Sequence, residues 1–394
     1  MASSQNTPQL LYIAPGDPWD RWTNSGTSIS LIEGLRAKGL LFGALSRFAT
    51  DTAELHGRSP LRHLTREAGG RLSKLLRRPP PSRPETVDER AEPWASVLRR
   101  LPPNSWVLYH YALPEIDRSL PIRRVLFQDM TVDDAVAARG FGWSRLSAAE
   151  VDERRARTAQ ANRDADAIVS FAGFVADTMH AQYGIPKSKV FPIGGGPIRR
   201  WDRPVPADLE RYRQRHVLFC GRAWERKGGP VLIEAFRRVR RELPDAKLTV
   251  VSSGAPPLNE PGVEQLGLID DARLHQLFST CSLFTMPSIC ESWGLVYVEA
   301  AAHGCPTANW SNWALPDIVD RNVTGVLTDR HDADGLAEAL VEALRDPQHL
   351  MEMGQNAVRR VHEVLDWPHV MDRLLAATFP EALDGREPVW MRPR

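Results

Sequence analysis

The apolar positions of this chain fall into two kinds of run. Short, nearly continuous apolar stretches at Leu10–Ala14, Trp106–His110, Val125–Phe127, Ala167–Ser170 and Lys189–Pro192 predict one series of strands. His216–Cys220, Lys247–Ser252, Leu283–Met286 and Thr307–Asn309 predict a second series. Between them apolar residues recur at helical spacing, as at Ile29, Ile32 and Leu35, or at Val231, Ala235 and Val239. Strand–helix–strand alternation of this kind predicts parallel sheets with helices on both faces. Two such series predict an α/β protein of two doubly wound, Rossmann-like domains. Gly194-Gly195-Gly196-Pro197 and Arg203-Pro204-Val205-Pro206 read as the linker. They divide the chain into an N-terminal domain over 1–200 and a C-terminal domain over 201–365. Trp367 to Thr378 then reads as one more amphipathic helix.

Composition agrees with this picture. A chain of 394 residues is too long for one ordinary core. With 42% hydrophobic and 25% charged residues it is expected to fold rather than stay disordered. Fifty Lys+Arg against 49 Asp+Glu leave a net charge of +1, which argues against a dedicated nucleic-acid binder. No apolar run approaches the roughly 18–20 residues that cross a bilayer. Met1–Leu10 is polar and carries no secretory pattern, so the expected location is cytoplasmic. Cys220, Cys281, Cys290 and Cys305 form no CxxC pair and sit in apolar segments, as buried free thiols do. One stretch departs from the average. Between Arg58 and Arg78, seven basic residues face a single acid, Glu67, and Leu61, Leu64, Ala68, Leu72, Leu75 and Leu76 share a helical face. Such a helix either packs on its own domain, the favoured reading, or makes a weak peripheral contact with an anionic membrane surface.

Two segments carry chemistry. The first is Pro287-Ser288-Ile289-Cys290-Glu291-Ser292-Trp293-Gly294-Leu295-Val296-Tyr297-Val298-Glu299-Ala300, which follows a strand and opens a helix. Ligands of open α/β sheets bind beyond the carboxyl ends of strands, where the N–H groups of Trp293, Gly294 and Leu295 suit a phosphate. Glu291 and Glu299 are acceptor-only groups fit for sugar hydroxyls. As an ordinary helix residue among apolar neighbours, Glu299 would be buried at a cost. The second is Phe219-Cys220-Gly221-Arg222-Ala223-Trp224-Glu225-Arg226-Lys227-Gly228, again at a strand-to-helix step. Arg222 and Lys227 place two cations where a pyrophosphate would need them; two basic residues in a loop are otherwise usually just solvated.

Together these segments resemble the retaining glycosyltransferases of family 4, which have the GT-B fold of two Rossmann-like domains facing a cleft. Glu291 and Glu299 match the family's E-x7-E motif, with Trp293 where Phe is usual. Gly221-Arg222…Lys227-Gly228 looks like its GR…KG loop. Ala302-His303-Gly304-Cys305-Pro306 and Val323-Thr324-Gly325-Val326-Leu327 match further, while the first domain matches loosely. The resemblance implies transfer of a hexose-type sugar from a UDP- or GDP-linked donor to an acceptor hydroxyl, with no other cofactor. Glu299 would hold the ribose, Glu291 the donor sugar, and Arg222 and Lys227 the diphosphate. Gly221 and Gly26 would let backbone approach the phosphates. The helix within 366–394 would pack back on the first domain.

The departures lie elsewhere. The first-domain loop has one glycine, in Asn24-Ser25-Gly26-Thr27. Gln128 stands where a His is frequent. Ile193-Gly194-Gly195-Gly196 replaces Asn-Gly-Val-Asp, and Ser311-Asn312-Trp313-Ala314 replaces a Gly-Gly turn. Trp19, Trp22, His110 and Gln128 are candidate sugar or acceptor contacts, although His110 is as readily a packed histidine. No metal is expected. Asp164-Ala165-Asp166 enters a strand at the wrong sheet edge for a ligand, and Asp332-Ala333-Asp334 suits a helix N-cap. Three rivals remain. A nicotinamide dehydrogenase would need GxGxxG, which Ala14-Pro15-Gly16-Asp17-Pro18-Trp19 does not supply. An epimerase or phosphorylase shares the fold, and a non-catalytic nucleotide-sugar binder would keep the same site.

Overall fold

The computed structural model describes residues 8–14, 17–20, 26–46, 97–110, 119–138, 146–198, 208–383, 385 and 387–391. Trp22, the basic segment 58–78 and the second half of the linker, 203–206, lie outside them. Strands β1 (Leu10–Ala14), β2 (Leu41–Ser46), β3 (Trp106–His110), β4 (Arg123–Phe127), β5 (Ala167–Ser170) and β6 (Val190–Pro192) form one sheet in the order β2-β1-β3-β4-β5-β6. Strands β7 (His216–Cys220), β8 (Lys247–Val251), β9 (Val263–Leu266), β10 (Leu283–Phe284), β11 (Thr307–Trp310) and β12 (Gly325–Thr328) form the other, in the order β12-β11-β10-β7-β8-β9. Their strands pair in parallel. Every residue of β1 and β3 is buried, as the unbroken apolar runs require of strands covered on both faces.

The predicted strands are all present; β4 is two residues longer than expected and β11 one longer, while β10 is two shorter and β6 and β8 one shorter each. Three strands were not predicted: β2, β9 and β12. All three are sheet edges; β9 has no buried residue, whereas β2 and β12 are largely buried but carry Gly43 and Gly325, which weaken a strand pattern. The helical faces also shift slightly. The helix Thr27–Ala37 buries Leu31, Ile32 and Leu35, and the helix Gly229–Glu242 buries Leu232, Ile233, Ala235, Phe236 and Val239, leaving Ile29 and Val231 half-buried at the rims. The helix Trp367–Thr378 has the predicted bounds.

The chain divides into two compact units: one reaches Phe127 and adds Ala161–Ala167, and the other comprises Gln128–Gln160 and Ile168 onward. Within the second, buried arginines act as carbonyl staples. Arg373 donates to the carbonyls of Ile193 (2.8 Å), Val389 (2.7 Å) and Val364 (2.9 Å), fixing the C-terminal helix to the segment after β6. Arg211 does the same for Cys281 (2.8 Å), His303 (2.8 Å) and Phe278 (2.5 Å). A buried guanidinium is tolerable because each of its three nitrogens donates to a carbonyl. Burial still lowers the Arg373 pKa to about 10. Among the described residues no helix is long and apolar enough to cross a membrane.

Candidate active site

Each sheet reverses its strand order once. In the second sheet the chain runs outward from β7 through β8 and β9, then returns to place β10 on the other side of β7. Loops leaving the carboxyl ends of β7 and β10 therefore diverge at a topological switch point, the place where open α/β sheets bind ligands. Both predicted motifs are these loops.

After β7 the chain makes a compact turn closed by Lys227 N–H to Ala223 (2.8 Å), Gly228 N–H to Glu225 (3.1 Å) and Gly229 N–H to Trp224 (2.9 Å). Gly228, at φ +75°, heads the helix Gly229–Glu242. A Cβ there would stand 1.9 Å from the Pro287 carbonyl oxygen, so only glycine lets the two loops meet. After β10 the loop ends at Gly294 (φ +89°), which heads the helix Leu295–Ala302. A Cβ on Gly294 would lie 2.5 Å from the Tyr297 ring. Neither glycine supplies a side-chain cap. By contrast, Asp270, Asp332, Asp346 and Asp366 each accept a first-turn N–H at their own helix starts.

The two loops are stitched together. Ile289 N–H donates to the Arg226 carbonyl (2.9 Å), and the Arg226 guanidinium donates to the Cys290 carbonyl (2.9 Å). The Lys227 ammonium pairs with the Glu291 carboxylate, which also accepts from Ser288 Oγ at 3.2 Å. Both partners are largely enclosed, at 13% and 8% side-chain exposure, so neither is a solvated surface charge. Arg222 is exposed, and Gly221 sits against the Lys227 stem. Glu299 is 3% exposed, one turn before His303. His303 Nδ1 donates to the Glu299 carbonyl at 2.7 Å, because a carbonyl only accepts. Burial pushes His303 down to about 4, so Nε2 is left to accept from His275 Nδ1 at 2.8 Å. Trp293 is buried, its indole N–H donating to the Gly195 carbonyl (2.9 Å) and its ring stacked on Phe171. Its side chain is thus packing, and only its backbone remains for a ligand.

The candidates of the first sheet look different. Gly26 heads the helix Thr27–Ala37 at φ +90°. His110 is 2% exposed, stacked flat on Phe127 at 4.4 Å with Tyr12 edge-on, and burial lowers its pKa to about 3. That is the packed-histidine alternative. Gln128 is equally buried, and the face of Trp19 carries the Arg36 guanidinium at 4.9 Å.

Asp332 caps its helix by accepting from Gly335 N–H (2.7 Å), and Asp166 accepts from Arg124 N–H (2.7 Å). Neither Asp-x-Asp triplet is therefore an open pair of carboxylates. Among the described residues no group of three His, Cys, Asp or Glu is placed to hold a metal. Cys281, Cys290 and Cys305 are buried and Cys220 is half-buried; burial raises Cys290 and Cys305 to about 11, which keeps them thiols rather than nucleophiles. The reading from sequence missed Asn309, whose amide donates to the Met286 carbonyl (2.9 Å) and the Tyr297 hydroxyl (3.0 Å) behind the Glu291 loop. It also missed Asp317, which accepts from Gly173 N–H (2.7 Å). A polar residue at the buried end of β11 was the available signal for the first; the second had none.

Residues 214–346 match the family described as Glycosyl transferases group 1. A D-inositol 3-phosphate glycosyltransferase of Gordonia bronchialis is 29% identical over 242 residues, 54% of this chain and 52% of its own. The chain thus spans about half the length of the curated relatives it matches. Sucrose-phosphate synthase of Thermosynechococcus elongatus has a similar structure, with a TM-score of 0.65 at 18% identity, covering 96% of this chain and 100% of that one. Anabaena HepE in complex with UDP superposes at 0.60 and 18% identity, covering 95% and 100%. The fold is that of the GT-B glycosyltransferases.

Proposed function

With residues 214–346 matching the family described as Glycosyl transferases group 1, we propose that the protein is a retaining glycosyltransferase. It moves a hexose-type sugar from a UDP- or GDP-linked donor to an acceptor hydroxyl. The observation that carries this reading is the joining of two glycine-headed helix starts, Gly228 and Gly294, at one switch point with Lys227 and Arg222 beside them. Uncapped N–H groups and cations together suit a diphosphate, whereas a neutral ligand would leave them unmatched. The relative from Gordonia, named for glycosyl transfer, supports the class of reaction, and the structural neighbour holding UDP supports a nucleotide-linked donor.

In this reading the sugar's bond to the β-phosphate oxygen breaks and its electron pair leaves with the diphosphate. Arg222, the Lys227 ammonium and the Gly294 helix start hold the growing charge. Lys227 has three donors; Glu291 takes one and fixes its direction, leaving two for phosphate oxygens. Glu299 receives the ribose hydroxyls. The acceptor oxygen bonds the anomeric carbon on the face the diphosphate leaves, and its proton goes to the departing phosphate. No side chain is needed as nucleophile. His110, buried and neutral, takes no proton in this scheme. The reading is tested by incubating the protein with a panel of UDP- and GDP-hexoses and simple acceptor alcohols. One α-linked donor should be consumed to an α-linked product by proton NMR. A β-linked product, or no consumption of any donor, contradicts it.

A further inference from the structure

We infer that Trp313 is a positioning residue for the loop that carries Glu291. Four described non-glycine residues have positive φ, and two of them are asparagines, which tolerate that region. Trp313, at φ +49°, is the aromatic one. A bulky residue persists in this conformation only where its surroundings over-determine it, and such residues gather at working sites. Here the surroundings are the Glu291 loop. The Trp313 indole N–H donates to the Ile289 carbonyl at 2.7 Å, and the ring meets Phe174 edge-on at 5.5 Å. Asn312 Nδ2 donates to the Ser288 carbonyl at 3.3 Å.

Ile289 is therefore bracketed. Its N–H is held by the Arg226 carbonyl and its carbonyl by Trp313, while Arg226 also holds the next carbonyl, that of Cys290. The Ile289 side chain is 49% exposed and contributes little packing of its own. The shape of the loop thus depends on these backbone bonds, and two residues further on that shape aims Glu291 at Lys227. Trp313 acts on the chemistry only through this loop. The inference rests on the reading that Glu291 and Lys227 face the donor.

Trp313→Phe keeps a ring against Phe174 and removes the indole donor. In the ligand-free protein the Ile289 amide should then exchange with deuterium about tenfold faster. With the best hexose donor of the panel, kcat should fall about fivefold while the donor KM stays within about twofold, the loss of one neutral hydrogen bond being worth about that much in rate. Trp313→Gly relaxes the backbone and should show the same loosening of Ile289. A folded Trp313→Phe protein with wild-type Ile289 exchange and wild-type kcat overturns the inference, as does a Trp313→Gly protein with wild-type exchange. If the wild-type protein turns over no donor, it is the functional reading that fails, and the exchange of Ile289 in the two variants still decides the role of Trp313.

Discussion

Both sheets reverse strand order at equivalent places, between β1 and β3 in the first and between β7 and β10 in the second, yet the residues gathered there differ in kind. At the second reversal stand two glycine-headed helix starts, Arg222, and the enclosed Lys227–Glu291 pair. At the first, His110 ends β3 buried between Phe127 and Tyr12, and is neutral. A doubly wound sheet supplies a place for a ligand at each reversal, but side chains decide what that place can do. In the proposed reading the second reversal receives an anion. The described part of the first offers a single glycine-headed helix start, at Gly26, beside a packed, neutral histidine.

The largest expected effect probes how the second reversal is assembled. Gly228→Ala puts a methyl group against the Pro287 carbonyl in a left-handed conformation and should cost about 3 kcal/mol or more of stability by denaturant unfolding. Gly184→Ala is the control, because Gly184 is also left-handed, at φ +67°, with nothing within 4 Å of its Cβ. It should lose only about 1–2 kcal/mol. Equal losses would mean that the close approach of the two loops is not what requires glycine at 228.

Next come the cations. Arg222→Ala should lower kcat about a hundredfold, since the charge it faces grows in the transition state. Lys227→Met should lower it similarly and also destabilise the protein, because it leaves the Glu291 carboxylate enclosed without its partner. Adding Glu291→Gln should recover the stability and not the rate. Variants that raise only the donor KM would assign both cations to ground-state binding.

The smallest effect sharpens the contrast from the other side. His110 and His303 are held near 3 and 4 by burial, below the ordinary value of about 6.5 that they regain on unfolding. The unfolded chain therefore binds more protons, and stability falls as pH drops from about 6.5 toward 4. Each histidine contributes a slope of up to about 1.4 kcal/mol per pH unit in that window. His110→Phe should remove about one proton's share of the slope, measured by urea unfolding between pH 6.5 and 5. An unchanged slope would mean that His110 is protonated in the native protein.

Much of this was legible beforehand, for physical reasons. Central strands such as β1, β3 and β7 announce themselves because burial on both faces demands unbroken apolar runs. The unpredicted edge strands do not, for different reasons: β9 buries no residue, while β2 and β12 are largely buried but are short runs interrupted or opened by Gly43 and Gly325. The Gly228 and Gly294 loops were readable because a helix start without a side-chain cap, beside charged residues, has few structural uses. The pairing of Lys227 with Glu291 was not, because it joins loops 64 residues apart in sequence. Trp313 was visible only as an odd residue in place of a Gly-Gly turn; its φ and its bond to Ile289 had to be seen.

The central claim is that the second reversal point holds a nucleotide diphosphate with its own cations and helix starts. Calorimetric titration of the wild-type protein with UDP and with GDP, in excess EDTA, addresses it directly. One of the two should bind, and its monophosphate should bind at least about tenfold more weakly, the difference being the second phosphate. Equal affinity for the monophosphate, or binding that returns only on adding Mg²⁺ or Mn²⁺, would contradict the account.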